Sequence, residues 1–230
     1  MKPIIIMPTY NEAENITRII PLIQEQTNID ILIIDDNSPD NTGSIVETLQ
    51  KKYNNIHLIK RESKKGLASA YITGFKWALN QNFNIFIQMD ADFQHPIQVL
   101  PEMLRLMQNE NIDVLIGSRY INNGGWEKGN RIKEVISRIG NIYSKLVLNS
   151  KIKDITGGYN IWSKKALTEI NLNSIISTGY MFQIEMKYKA EKKKLKIKEF
   201  PIKFKPRVSG NSKMDIKICL EAFVNIWKLK

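Results

Sequence analysis

The residues with the most chemistry in them are Asp90-Ala91-Asp92-Phe93-Gln94-His95-Pro96, placed directly after the apolar run 84–89. Two carboxylates stand at i and i+2, with an amide at i+4. In extended chain, alternate side chains share a face, so Asp90, Asp92 and Gln94 are expected to converge on one point. Hard oxygen ligands at the carboxyl end of a strand suit Mg2+ or Mn2+ held jointly with a substrate diphosphate. Pro96 stops the strand and suits the first turn of a helix expected over 97–107. The competing reading is a polar turn whose aspartates cap that helix. The strand in front and the Q-H-P behind favour metal and phosphate. His57 and His95 stand too far apart to suggest a zinc site, and His95 is assigned to the turn.

Such residues need a frame to hold them. Apolar runs at 2–7, 29–34, 56–60, 84–89 and 113–118 read as strands. Between them lie helical patterns at 11–27, carried by Ile16, Ile19, Ile20 and Ile23, and from Ser38 or Asp40 as a cap to about 52. A third follows Lys64-Lys65-Gly66 as far as 79. Strands alternating with helices imply right-handed βαβ units and a mainly parallel, twisted sheet, so the fold class is α/β. The alternation loosens after residue 120, where a helical and mixed-strand elaboration is expected to pack on the first half. No linker divides the chain, and one domain is expected over 1–230.

Ligands of open parallel sheets bind outside the carboxyl ends of the strands. That rule gathers 8–12, 35–40, 90–94 and Gly117-Ser118-Arg119 onto one edge. No G-x-G-x-x-G follows the first strand, and no Walker lysine loop exists. A nucleotide is therefore held differently: Tyr10 offers a stacking face, and Glu12 and Asp36 offer acceptors for base or ribose donors.

The net charge is +11, and it is uneven: residues 181–230 carry 14 Lys/Arg against five Asp/Glu. Such a surface suits nucleic acid, an acidic membrane or a phosphorylated substrate. Nucleic acid is set aside, because it leaves the clustered carboxylates unexplained and repelled by phosphate. The single Cys219 fits a reducing compartment. Neither a signal peptide nor a spanning helix is expected.

Taken together, P-T-Y-N-E (8–12), I-D-D-N-S-P-D (34–40), G-L-A-S-A-Y-x-x-G (66–74), M-D-A-D-F-Q-H-P (89–96), G-S-R-Y (117–120), T-G-G-Y (156–159), G-Y-M-F-Q-I-E-M (179–186) and R-V-S-G-N-S-K (207–213) resemble the family 2 glycosyltransferases. The chain looks most like the dolichyl- or polyprenyl-phosphate mannosyltransferases, of the compact kind without transmembrane helices. The resemblance covers nearly the whole chain in the family's order. It implies a GT-A fold, GDP-mannose as donor, Mg2+ or Mn2+, and a polyprenyl (dolichyl) phosphate acceptor. The product would be a β-linked mannosyl phospholipid for glycolipid synthesis or protein glycosylation. A related transferase using UDP-glucose is the alternative; the Q-x-x-R-W motif of processive synthases is absent.

The resemblance also assigns residues. It puts Pro8, Tyr10, Glu12, Ile34 and Asp36 around the guanosine, and Asp90, Ala91 and Asp92 along the donor. Asp90, Asp92 and Gln94 would be the metal ligands. Arg119 and Arg131 would contact phosphate near the acceptor, and Arg207 and Lys213 would reach the diphosphate. Asn211, and the positions around Thr178 and Met181, depart from the family's usual charged residues. By this reading residues 1–120 form the nucleotide-binding half and 121–230 the acceptor-binding, membrane-proximal half. An insoluble acceptor requires membrane access, for which 214–230 and 132–148 are the candidate basic amphipathic helices. The expected location is peripheral, at the cytoplasmic membrane face, with a separate membrane-anchoring subunit as a further expected partner.

Overall fold

Isoleucine-rich strands make the centre of this protein, because a sheet covered by helices on both faces has no solvent side for polar residues. Ile4, Ile5 and Ile6 of β1 (Pro3–Thr9) and Ile31 to Ile34 of β2 (Asp30–Asp35) are wholly buried. The structure is a computed structural model that describes residues 1–127, 131–206 and 225–230. Further strands are β3 (Ile56–Lys60), β4 (Ile85–Gln88), β5 (Val114–Ser118), β6 (Gly125–Trp126), β7 (Asn160–Ser163), β8 (Ile197–Pro201) and β9 (Lys203–Phe204). Among the described residues the α-helices are α1 (Ala13–Thr27), α2 (Thr42–Lys52), α3 (Leu67–Asn80), α4 (Leu100–Asn109), α5 (Arg131–Leu148), α6 (Lys164–Ile170) and α7 (Met181–Lys192).

Seven strands form one sheet in the order β3-β2-β1-β4-β7-β5-β8, and β6 and β9 form a separate pair. β1 runs parallel to β2 and β4, β2 to β3, and β5 to β8. β7 is antiparallel to both its neighbours, with Gln88 opposite Asn160. The sheet separates two cores. Ile5, Met7, Ile31 and Ile33 face α1, α2 and α4, while Ile4, Ile6, Leu32 and Ile34 face α3, α6 and α7. α3 lies so close to the sheet that a Cβ on Gly74 would sit 2.5 Å from Ile6 and 2.9 Å from Ile34. The glycine of A-Y-x-x-G is therefore a packing requirement.

All five strands and four helices expected before residue 120 are present, with ends shifted by a few residues. The helix after Pro96 begins as a short 3-10 turn, Ile97–Val99, before α4. β7 has no forerunner in the sequence reading. It fills the gap between β4 and β5 and brings the loop before it to the carboxyl edge of the sheet.

Candidate active site

Four loops meet at that edge. After β1, Glu12 lies almost buried, its Oε2 accepting from Asn15 Nδ2 at 2.7 Å and its backbone N–H donating to Thr42 Oγ1 at 3.1 Å. Tyr10 is half-buried, with the Lys64 ammonium 4.2 Å from the centre of its ring. After β2, Asp35 accepts from the Ser38 hydroxyl at 2.6 Å and the Ser38 N–H at 3.0 Å, which closes the D-D-N-S-P turn. Asp40 joins two helices, accepting from Ala13 N–H of α1 at 3.0 Å and Thr42 N–H of α2 at 3.1 Å. Asp36 is clamped by Arg61, whose Nε donates to Oδ1 at 2.5 Å and whose Nη2 pairs with the same oxygen. Arg61 continues to Ser69 at the start of α3.

The third loop carries the two aspartates. The extended geometry expected over Asp90 to Gln94 is not what forms. β4 ends at Gln88, and Phe93 adopts φ +64°, so the chain turns back on itself. Three bonds hold this turn. The Asp90 N–H donates to His95 Nδ1 at 3.1 Å, Gln94 N–H donates to Asp92 Oδ1 at 3.1 Å, and Gln94 Nε2 donates to the Lys205 carbonyl at 3.2 Å. Neither aspartate caps the following helix, whose N-cap is Pro96 without a side-chain bond. Tyr71 of α3 donates its hydroxyl to Asp90 Oδ1 at 3.0 Å. Burial, then the charges of Asp90 and Asp92, push the Tyr71 phenol well above its ordinary pKa. Both carboxylates thus act on the same Tyr71 hydroxyl.

His95 is more than a turn residue. Its ring stacks on Tyr159 at 4.8 Å and meets the edge of Phe204 at 5.8 Å. Burial lowers its pKa to about 4, with Asp92 raising and Arg119 lowering it by smaller amounts. At neutral pH it is uncharged, and because Nδ1 accepts from Asp90, its proton sits on Nε2.

The fourth cluster surrounds Arg119, just after β5. Its Nε and Nη2 make a bidentate pair with Asp154, each bond 2.8 Å, while Nη2 also reaches Thr156 and Nη1 reaches Ser137 of α5. Tyr120, Trp126 and Phe204 stand 5.0–5.3 Å from the guanidinium. Lys187 of α7 is fully buried and donates to the carbonyls of Asp154 at 3.1 Å and Gly157 at 2.5 Å. Burial lowers the Lys187 pKa to about 7; Asp154 opposes that and Arg119 adds to it. Burial works against the charge of Asp154 too, but Arg119 and then Lys187 keep its pKa below the ordinary value. One carboxylate serves two cations, and Arg119 takes the larger share through its two parallel bonds.

The sequence profile described as "Glycosyl transferase family 2" matches residues 4–170, a span that holds all four loops. The chain belongs to this family. It is 35% identical to the undecaprenyl-phosphate mannosyltransferase of Micrococcus luteus over 98% of its own length and 93% of that protein. It is 34% identical to the polyprenol monophosphomannose synthase of Mycolicibacterium smegmatis, over 98% of this chain and 85% of that one. Among solved structures, glucosyl-3-phosphoglycerate synthase from Mycobacterium tuberculosis, bound to phosphoglyceric acid, superposes with a TM-score of 0.72 at 16% identity, covering 99% of this chain and 79% of that one. The same synthase with Mn2+, UDP-glucose and phosphoglyceric acid gives 0.70 at 16% identity, again over 99% of this chain and 79% of that one. These neighbours share the GT-A fold expected for the family.

Within this family-2 framework the expected site residues divide. Pro8, Tyr10, Glu12, Asp36, Asp90, Ala91, Asp92 and Gln94 lie on strand ends and loops of one edge. Ile34 does not offer its side chain there: it faces the core against Gly74, directly opposite Pro8 in the β1–β2 ladder. Arg119 is buried, and four of its five N–H groups are already committed, so it organises the site rather than waiting as a free anion contact. Arg131 is exposed at the start of α5. Arg207 and Lys213, together with most of 214–230, lie outside the described residues. Among the described residues no three His, Cys, Asp or Glu gather around a point where a cation would sit. Two carboxylates two residues apart in one turn are the kind of donors that a hard divalent ion takes together with oxygens from outside the protein. No helix among the described residues is long and apolar enough to cross a membrane. Reading the sequence missed Arg61, Tyr71, Asp154 and Lys187. Only Tyr71, inside G-L-A-S-A-Y-x-x-G, carried a signal.

Proposed function

We propose that this protein transfers mannose from GDP-mannose to a polyprenyl phosphate, with inversion, at the carboxyl edge of the sheet. The observation that carries this reading is the near full-length identity to two polyprenyl-phosphate mannosyltransferases. The paired Asp90 and Asp92, in the turn at the carboxyl end of β4, agree with it. A divalent cation held by Asp90, Asp92 and Gln94 would supply charge neutralisation for the departing diphosphate.

Tyr71 and His95 hold the aspartate turn, one by a hydroxyl on Asp90 and the other by an acceptor for its N–H. Asp36, fixed by Arg61, and Tyr10 form the base and ribose side. The nucleophile is an oxygen of the acceptor phosphate. A phosphate monoester with a second pKa of about 6 is mostly dianionic at neutral pH, so no strong base is needed. That oxygen bonds to the anomeric carbon as the carbon–oxygen bond to GDP breaks, so an α-linked donor gives a β-linked product. The protein's own contribution is placement and charge. Arg119 holds the acceptor side through Asp154, and Arg207 and Lys213 are proposed to reach the diphosphate. The acceptor's lipid tail brings the protein to a membrane surface, at its cytoplasmic face in this reading, with or without a separate anchoring subunit.

Radiolabelled GDP-mannose, a polyprenyl phosphate and Mg2+ or Mn2+ supply the direct test: the expected product is an organic-extractable, acid-labile mannosyl lipid. Thermal stabilisation by GDP, UDP and dTDP with Mn2+ identifies the donor independently. Stabilisation by UDP alone, with transfer from UDP-glucose, would replace the mannosyl reading with a glucosyl one.

A further inference from the structure

Until Val147 and Leu148 enter the core at its carboxyl end, helix α5 is built inside out. The residues it turns toward the protein there are mainly polar: Ser137 accepts from Arg119 at 3.3 Å and bonds the Tyr120 hydroxyl at 3.0 Å. Asn141, buried, accepts from the Ile155 N–H at 2.9 Å and donates to the Lys153 carbonyl at 2.6 Å, so it fixes the loop that carries Asp154. The face turned away is apolar. Ile132, Val135, Ile136, Ile139, Ile142 and Leu146 are 44–76% exposed. At 3.6 residues per turn and 1.5 Å per residue they form a single stripe about 21 Å long. Arg131, Arg138 and Lys145, spaced seven apart, run along one flank of it. At its far end Trp227, 56% exposed, donates its indole N–H to Tyr143 of α5 at 3.1 Å.

Six large apolar side chains in water on one helix are a docking surface, since a monomer rarely exposes a continuous patch of this extent. The basic row decides the occupant. A second copy would bring two such rows, and two net charges of +11, toward each other. An anionic bilayer surface complements the row, accepts the stripe among its acyl chains and suits an amphipathic indole at the boundary. We infer that α5 lies in the surface of an anionic membrane, its apolar stripe toward the lipid, and its polar face holding the Arg119–Asp154 cluster one helix diameter, about 10–12 Å, above it. This inference rests on the reading that the acceptor is a lipid phosphate, and it deepens that reading. The helix sets the depth at which a membrane-borne phosphate meets the site.

The test uses the full chain and an Ile139→Glu/Leu146→Glu variant, whose substituted side chains are solvent-exposed and outside the site. Phosphatidylcholine vesicles doped with phosphatidylglycerol should float the wild type at low salt. The double variant should bind them at least about tenfold more weakly, given two apolar side chains withdrawn from lipid. Transfer to a long-chain acceptor embedded in the vesicles should fall by a similar factor. Transfer to a short, water-dispersed isoprenyl phosphate should stay within about twofold. Equal flotation of both proteins would overturn the inference. So would a wild type that ignores vesicles and sediments as a dimer the variant abolishes, which would assign the stripe to a second copy. A variant that loses thermal stability, with no flotation of the wild type, would assign it to residues 207–224 of the same chain. Flotation only with a co-reconstituted membrane protein would assign it to an anchoring subunit. Absence of transfer to either acceptor by the wild type, with flotation intact, would remove the proposed function and leave the docking surface standing.

Discussion

Asp35, Asp40 and Asp92 each take a hydrogen bond from a group within three residues of themselves. Asp154 instead reaches Arg119 across 35 residues, takes Glu199 as partner for its N–H across 45, and supplies its carbonyl to Lys187 across 33. The proposed donor side is thus made of turns that satisfy part of their own acids, with Arg61 on Asp36 and Tyr71 on Asp90 supplied from outside the turn. The Arg119–Asp154 cluster, on the proposed acceptor side, is made of charges that meet only when β5, α5, α7 and β8 have all docked. Damage on the donor side should therefore cost chemistry and leave the fold standing. Damage on the acceptor side should cost the fold.

The largest expected effect is on the acceptor side. Asp154→Ala leaves Arg119 and Lys187 buried without their shared counter-charge, which should cost about 3–5 kcal/mol in urea unfolding. A loss below about 1 kcal/mol would mean that water already reaches this cluster. Next comes the donor side. Asp92→Ala should lower turnover by at least roughly 10²-fold, the scale of losing one preorganised electrostatic contact, while unfolding stability moves by about 1 kcal/mol or less. Near-normal transfer by that variant in metal-free buffer would dismantle the scheme proposed for the site. Equal losses of stability in the two variants would erase the contrast between the edges.

The same contrast decides what could be read from the chain. D-D-N-S-P-D and D-A-D-x-Q-H-P announce themselves because part of their bonding lies inside the motif, Ser38 on Asp35, Gln94 on Asp92 and His95 on the Asp90 N–H, while Arg61 and Tyr71 come from outside. The one error there was geometric: extended spacing was assumed where Phe93 turns the backbone. Arg119 was visible, but its partner was not, since nothing at Asp154 distinguishes it from a surface acid. Lys187 sits in a lysine-rich stretch that looks solvated. It is buried because α7 is covered on nearly all sides, Glu185 included. For α5 the periodicity marks two faces without saying which is inside, and here, as far as Val147 and Leu148, the mainly polar one is.

A smaller effect sharpens the comparison through pH. Lys187 has a folded pKa near 7, below its ordinary 10.5, so between those values the unfolded chain binds more protons than the folded one. Stability should then rise with pH across that window, by about 1–3 kcal/mol over its first two units, and the contribution should level off below pH 7, where both states are protonated. Urea unfolding at neutral pH and about two units above it, on wild type and Lys187→Met, isolates the slope. An unchanged slope in the variant would show that the ammonium keeps its proton, with Asp154 outweighing burial.

The smallest effect returns to the donor edge. Asp40 ties the first turns of α1 and α2 together and is partly exposed, and its pKa is lowered: burial raises it, but the bonds from Thr42 and Ala13 more than offset that. Asp40→Ala removes a cap from each helix and should cost about 1–2 kcal/mol, because water can replace part of what is lost. A depressed carboxyl pKa stabilises the fold above its unfolded value and stops doing so as pH falls through the folded one. The gap between wild type and variant should therefore be constant near neutrality and close in acid. Because both caps lie next to Glu12, whose N–H donates to Thr42, the variant should also weaken nucleotide binding by a few-fold while leaving turnover at saturation unchanged. A fall in turnover with binding intact would mean that this turn positions the reacting diphosphate rather than the base, and would move the boundary between the two edges.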